Sequence, residues 1–325
     1  MTVFLEALGG KLAERWVALL VLPGLLLLAT IGVGHTLGQA HWNDIGRLAA
    51  ELNRLAAEPA LRGTGTLVLV LAGLLLAALG IGFAVQGAGA GVERLWLAAR
   101  PQRLVTWRAR RWATARSAAS AALLEAARAQ QSDDPAVSTL AAEARHLHLV
   151  RERLGVTAPA HAFWVGDRLA VPAERAATAY ALDLGAAWPR LWMLLPPEAR
   201  TELETARTRL ATAARLAAWA AGYLAVGLLW WPAAVAGLIT AVVSWRQSRT
   251  AAAVLADLVE SVVDVHGRQL AETLGLSTSG TLTPELGAKI TALLRRDFNF
   301  SQHESSETSL IRQRPLEHFV EGNDL

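Results

Sequence analysis

Asp257, Glu260, Asp264 and Arg268 follow one another at steps of three and four residues, the spacing that sets side chains on one face of a helix. Leu255, Leu258 and Val262 fall on the other side. A row of three carboxylates next to an apolar segment can concentrate cations at the mouth of a pore, so Asp257, Glu260 and Asp264 are the candidate ion-attracting residues. The same row can be a solvated face, or one occupied by salt bridges, and that is the commoner use of such a pattern.

Other chemistry is sparse. Arg145-His146-Leu147-His148 has the look of a metal site, but residues two apart point to different sides of a helix. The Gly87-Ala-Gly-Ala-Gly91 tract has a superficial likeness to a nucleotide-binding loop, yet no strand precedes it. The chain has no cysteine, which removes disulfides, thiolate zinc sites, iron–sulfur clusters and cysteine nucleophiles together. No Walker loop, nucleophile elbow, kinase set or zinc helix occurs. The expectation is a protein that is not an enzyme, with no catalytic residue, metal or cofactor.

The elements that must carry the carboxylate row are set by three uncharged stretches. One lies between Arg62 and Glu93, a second between Arg215 and Arg246, and a third from Val17 to His35. An apolar stretch of about 18 residues or more can cross the hydrocarbon core of a bilayer as a helix. The 325 residues are 53% hydrophobic with 18% charged, too apolar for an ordinary soluble domain and polar enough to keep much of the chain in water. Net charge is only +3, which is no nucleic-acid footprint, although the pI is near 9.9. The high pI follows from the basic residues, all arginine apart from Lys11 and Lys289. That arginine bias, with abundant alanine and leucine, points to a GC-rich bacterial genome.

The first span is expected from about Trp16 to Leu37, behind Lys11 and Arg15. Gly38-Gln39-Ala40 would also serve as a leader cleavage site, but the apolar run is long and the basic flank weak. His41 to Glu58 reads as an amphipathic helix, with Ile45, Leu48, Leu52 and Leu55 on one face. The second span covers Thr64 to Gly91, and its glycines Gly80, Gly82, Gly87 and Gly91 are the expected helix-packing residues, since small residues let backbones approach in lipid. Arginines 100, 103, 108, 110 and 111 follow at once, marking the cytoplasmic side. The third stretch holds Trp230-Trp231-Pro232 at its centre. Proline starts or breaks helices and tryptophan prefers the membrane interface, so a hairpin turning at Trp231, full or re-entrant, is preferred to one long tilted helix.

The expected fold is all-α: a polytopic membrane protein with about four transmembrane helices, a helical cytoplasmic portion and both termini cytoplasmic. Residues 1–91 form the first helix pair with its extracytoplasmic amphipathic loop, 92–215 a helical cytoplasmic region, 216–245 the hairpin, and 246–325 a cytoplasmic extension and polar tail. Within the cytoplasmic region helices are expected over Gln102–Gln131, from Pro135 to about Leu154, and over Pro172–Asp183, with another opening at Pro196-Pro197. A short helix is expected over Glu285–Arg296.

Trp188-Pro189-Arg190-Leu191-Trp192-Met193-Leu194-Leu195-Pro196 is the most individual stretch. Trp188 and Trp192, with Trp230 and Trp231, are candidate interfacial anchors. The first two can equally form an elbow packing one helix on another. This Trp-Pro-Arg-Leu-Trp-x-Leu-Leu-Pro element, preceded by Leu182-Asp183-Leu184 and followed by a tryptophan-rich apolar hairpin, resembles uncharacterised multi-pass membrane proteins of high-GC Gram-positive bacteria. The resemblance covers about residues 160–275 and implies a bacterial plasma-membrane location; it carries no site residues. The coarse layout is also similar to that of bestrophin-type anion channels, without any of their motifs.

The uncharged stretches hold no titratable side chain apart from Tyr223 and the terminal His35, which argues against proton pumping and ion-coupled transport. Two functions remain. The preferred one is an oligomeric pore or membrane effector, its glycine-rich helices packed around an axis. The alternative is a non-conducting scaffold recruiting a cytoplasmic protein partner. The expected partners are the bilayer, further copies of the chain and a cytoplasmic protein, with no nucleic acid.

Overall fold

The computed structural model describes residues 21–59, 63–131, 158–278 and 280–296. The turn expected at Ser132–Pro135, the helix expected up to Leu154, His146, His148, the start of the first span and the tail beyond Phe300 lie outside them. Among the described residues every regular element is a helix. The nine are α1 (Leu22–Leu37), α2 (Ile45–Ala57), α3 (Thr64–Leu97), α4 (Gln102–Gln131), α5 (Trp164–Tyr180), α6 (Leu184–Leu194), α7 (Pro197–Val226), α8 (Trp231–Thr273) and α9 (Pro284–Arg295).

Local chemistry sets most of the boundaries. Asp44, Asp183 and Thr283 cap α2, α6 and α9, each side-chain oxygen accepting from the backbone N–H three residues on. Pro284 opens α9, and Pro232 stands second in α8, where its missing N–H leaves no helical bond unmade. α3 is 34 residues long, or about 51 Å. It is the one described helix both long and apolar enough to cross a membrane, and α1 is a shorter apolar helix. α5 begins eight residues before its expected start at Pro172 and carries that proline inside.

The described residues fall into two compact units, one from those up to Arg168 together with Thr205–Ala253, the other from Leu169–Glu204 together with those from Val254 onward. The unit boundaries fall inside α5, α7 and α8.

In the first unit α7 and α8 form an antiparallel hairpin around a turn at Gly227–Trp230. Close approach runs the length of the hairpin. A Cβ on Gly227 would lie 2.5 Å from Ala234 Cβ, and one on Gly237 would lie 2.8 Å from the Leu224 nitrogen. Farther along, the Ser244 hydroxyl donates to the Ala213 carbonyl at 2.8 Å. α3 runs antiparallel to α7: Gly89 abuts Arg215, and Glu93 pairs with Arg207. α1 runs in the direction of α7, since Leu27 packs on Gly222 and Gly34 on Val226 and Trp230. Gly24 is seated against the Ala78 carbonyl of α3, where a methyl would overlap the oxygen. The four segments therefore alternate in direction and are joined by small residues, the packing that lets helix backbones approach. Leu27, Val226 and Ala233 form their buried centre, with Ile81, Trp219, Tyr223 and Trp230 around it.

The second unit has its own core. Leu182, Leu191, Leu270 and Ile290 are almost fully buried, within a cluster drawn from α5, α6, α7, α8 and α9. Gly287 of α9 meets the Tyr180 carbonyl so closely that no side chain would fit.

Candidate functional site

The carboxylate row of α8 is the first candidate. Its neighbours come from α5 in the same unit. Arg175 Nη1 lies 2.5 Å from Glu260 Oε2, and the Tyr180 hydroxyl donates to Asp264 Oδ1 at 2.9 Å. That hydrogen bond to a carboxylate, with the burial and charge around it, holds the Tyr180 phenol above its ordinary pKa. Pro172, Ala176, Ala179 and Val263 join these four polar residues around a cleft of about 350 Å³. The structure thus brings Glu260 and Asp264 together with an arginine and a phenol 85 and 84 residues away. Asp257 is also engaged by a neighbour. The arrangement is a cross-linked face between two helices, with an apolar floor.

Trp188 and Trp192 lie a turn apart on α6 with ring centroids 6.3 Å apart, and both pack against the core of the second unit. Asp183, just before them, caps α6 and is gripped by Arg295 Nε and Nη2 at 2.9 and 2.5 Å. The arginine hydrogen bonds, then the cap bond from Ala186, hold the Asp183 carboxyl below its usual range.

Trp230 and Trp231 sit in a different setting, at the turn of the α7–α8 hairpin. Trp230 Nε1 donates to the Trp42 carbonyl at 3.1 Å, and the Trp42 and Trp231 rings meet edge to face at 4.9 Å. Gln39 binds this end together. Its amide nitrogen donates to the carbonyls of Gly227 at 3.0 Å and Leu228 at 2.9 Å, and its amide oxygen accepts from the Trp231 N–H at 3.1 Å. One side chain satisfies three backbone groups that the turn leaves without helical partners. Nothing in the local sequence marks Gln39, because all its partners lie nearly two hundred residues away.

The glycines of α3 divide between two faces. Gly82 and Gly89 are buried with Ala78. Gly80, Gly87 and Gly91 are exposed, and a Cβ on any of them would meet nothing within 4 Å. With Gly73, Ala77 and Ala84, also exposed, they fall at alternating steps of three and four residues. The result is a seam of glycine and alanine about 27 Å long, opposite the face that packs inside the chain.

A last cluster follows the end of α3. Asp167 at the start of α5 accepts from the backbone N–H groups of Ala160 and His161 at 2.9 and 2.8 Å. Arg108 Nη2 of α4 stands 2.8 Å from its other oxygen, and the His161 ring lies 3.2 Å away. The Ala162 N–H donates to the Ala98 carbonyl. This cluster orders the chain around the α3–α4 elbow. Among the described residues no group of three His, Cys, Asp or Glu side chains is placed to hold a metal ion.

Compared with known families, curated proteins and solved structures, the chain matches none.

Proposed function

We propose that the chain is a self-associating integral membrane protein, with α1, α3 and the α7–α8 hairpin as four membrane segments and both termini cytoplasmic. On this reading it acts as a non-conducting scaffold in a bacterial plasma membrane, presenting the second compact unit to a cytoplasmic protein partner. The observation that carries the membrane reading is the outward face of the four segments. Leu69 and Leu76 of α3 are 74% and 69% exposed, Leu22 and Leu26 of α1 are 54% exposed, and Leu238 and Ile239 of α8 about as much. Helices already packed on their small residues and still apolar outside match a lipid environment, where that surface has no hydrophobic cost. The Gln39 clamp supports it too, because a turn inside or near a bilayer needs its backbone groups satisfied within the protein.

Scaffold is preferred to pore because of the carboxylates. Glu260 is ion-paired with Arg175, which offsets its charge, and one oxygen of Asp264 is occupied by the Tyr180 hydroxyl, so the row is less open to a passing cation. The Gly73–Gly91 seam favours association between copies under either reading, and under the pore reading it would line the contact around the axis.

The test is ion flux through the purified full chain in proteoliposomes. Under the scaffold reading, membranes carrying folded protein stay as tight as empty ones, and Glu260→Gln changes nothing. Protein-dependent flux altered by Asp257→Asn, Glu260→Gln and Asp264→Asn would establish the pore instead.

A further inference from the structure

We infer that the outward face of α4 is a docking surface for the anionic headgroups of the membrane that α3 enters. The inference rests on the membrane reading of α3 and adds to it a lipid class and the residues that select it.

Between Glu93 and Glu125 the chain contains seven arginines and no carboxylate. The structure sorts these arginines by role. Arg108 is turned inward and spent on the Asp167 cluster, its Nη1 donating to the His161 carbonyl at 2.5 Å. Arg103, Arg110 and Arg111 are exposed and, among the described residues, have no ion-pair partner. Positions 103, 107, 110, 111 and 114 lie within one third of the helix circumference at 100° per residue, so these three cations share a face with Trp107 and Thr114. Trp107 is 53% exposed and Leu104, at the edge of the face, 40%. The Arg111 guanidinium stands 4.9 Å over the Trp107 ring.

That composition fits one environment well. An exposed tryptophan is costly in water, and three unneutralised arginines are costly in hydrocarbon. The headgroup layer accommodates both, with the indole at the acyl boundary and the guanidinium groups on phosphates. Arg111 over Trp107 leaves its N–H edges available for bidentate contact with phosphate. Geometry keeps the face close to the end of α3. Only four residues separate α3 from α4, and the Ala98–Ala162 bond with the Arg108–Asp167 pair fixes the elbow. Arg100 lines an open hollow of about 670 Å³ at that elbow with Leu95, Ala98, Pro101 and Gln102. A basic segment immediately beyond a membrane helix is drawn to anionic lipid, each arginine shifting the docked population about fivefold.

The absence of cysteine gives a direct test. The full chain carrying Thr114→Cys, spin-labelled there, is placed in nanodiscs of phosphatidylcholine with or without phosphatidylglycerol. Accessibility of the label to oxygen and to an aqueous nickel complex is then read. The expected result is a shift into the headgroup zone with phosphatidylglycerol, reversed by high salt. The Arg103→Gln, Arg110→Gln, Arg111→Gln triple should abolish the shift, while Trp107→Ala should leave the label shallower. A label with the same accessibility in both lipids, one shielded regardless of lipid, or a shift that survives in the triple overturns the inference. If alkaline carbonate washes the unlabelled chain off membranes, the membrane reading itself fails. A retained chain with a lipid-insensitive label sinks this inference alone.

Discussion

Ser244 donates its hydroxyl to the carbonyl of Ala213 at 2.8 Å, and both residues are almost completely buried, at 2% and 0% exposure. The bond joins the two arms of the α7–α8 hairpin near the charged end of the apolar stretch. A hydroxyl buried in that place is costly unless bonded, and here it also fixes the register of one helix against the other. Ser244→Ala removes only the hydroxyl and leaves the Ala213 carbonyl its own helical partner. The expected loss is about 0.5–1.5 kcal/mol, measured as unfolding of the purified chain in mixed detergent. Stability unchanged or increased would mean that close packing at Gly237 sets the register by itself.

Gln39 offers a sharper test at the other end of the hairpin. Gln39→Leu keeps the size of the side chain and removes all three bonds to Gly227, Leu228 and Trp231. Backbone hydrogen exchange at Trp231 should accelerate about tenfold, with the rest of α8 unaffected. Equal protection in variant and parent would show that the Trp42–Trp230 bond holds the turn.

The two glycine faces of α3 predict opposite phenotypes. Gly24 of α1 lies against Ala78 on the packed side of α3, so Gly24→Leu must push two backbones apart, at a cost of about 1–3 kcal/mol or more, seen as lower yield of folded chain. Gly80→Leu meets nothing within the chain. It should leave unfolding of the monomer unchanged and reduce the oligomer mass measured in mild detergent. An unaltered mass with Gly80→Leu and Gly87→Leu combined would remove the seam as an association surface.

Asp183 sets an acid limit on the second unit. Its carboxyl is depressed in the folded chain by Arg295 and by the cap bond, so the folded state binds a proton less readily than the unfolded one. The stabilisation is complete above the ordinary aspartate value of 3.8 and is lost as pH falls through the lower folded value. Asp183→Asn keeps a capping oxygen but not the ion pair. The difference in stability between parent and Asp183→Asn, followed by circular dichroism from pH 6 down to about pH 2, should shrink at the acid end. A constant difference would mean that the Arg295 contact is not coupled to folding.

Local chemistry made much of this architecture legible. The α4 boundaries, Gln102 and Gln131, follow from composition and spacing, and Trp230-Trp231-Pro232 places the α7–α8 turn within a few residues of Gly227–Trp230. α9 starts at Pro284, one residue before the expected Glu285, because Thr283 caps it and proline fits the first helical position. What spacing could not reveal was partnership. The row Asp257–Glu260–Asp264 is visible as a row, but Arg175 and Tyr180 sit 85 and 84 residues away, and nothing near either one points to α8. The glycines of α3 posed the same difficulty. A periodic pattern shows which of them share a face, but the choice of inward face depends on Gly24 and Arg215, which belong to other helices.

Gln39 and the turn it clamps are 188 to 192 residues apart, and that separation orders the assembly in time. Contacts between distant parts of a chain close late and slowly, since the loop between them must be ordered first. α1 is made long before Gly227 leaves the ribosome, so the Gln39 amide can meet its turn only after α2 to α7 have been synthesised. The clamp therefore closes only after the helices it joins have been made, and its loss would leave those helices formed with the hairpin turn open to exchange.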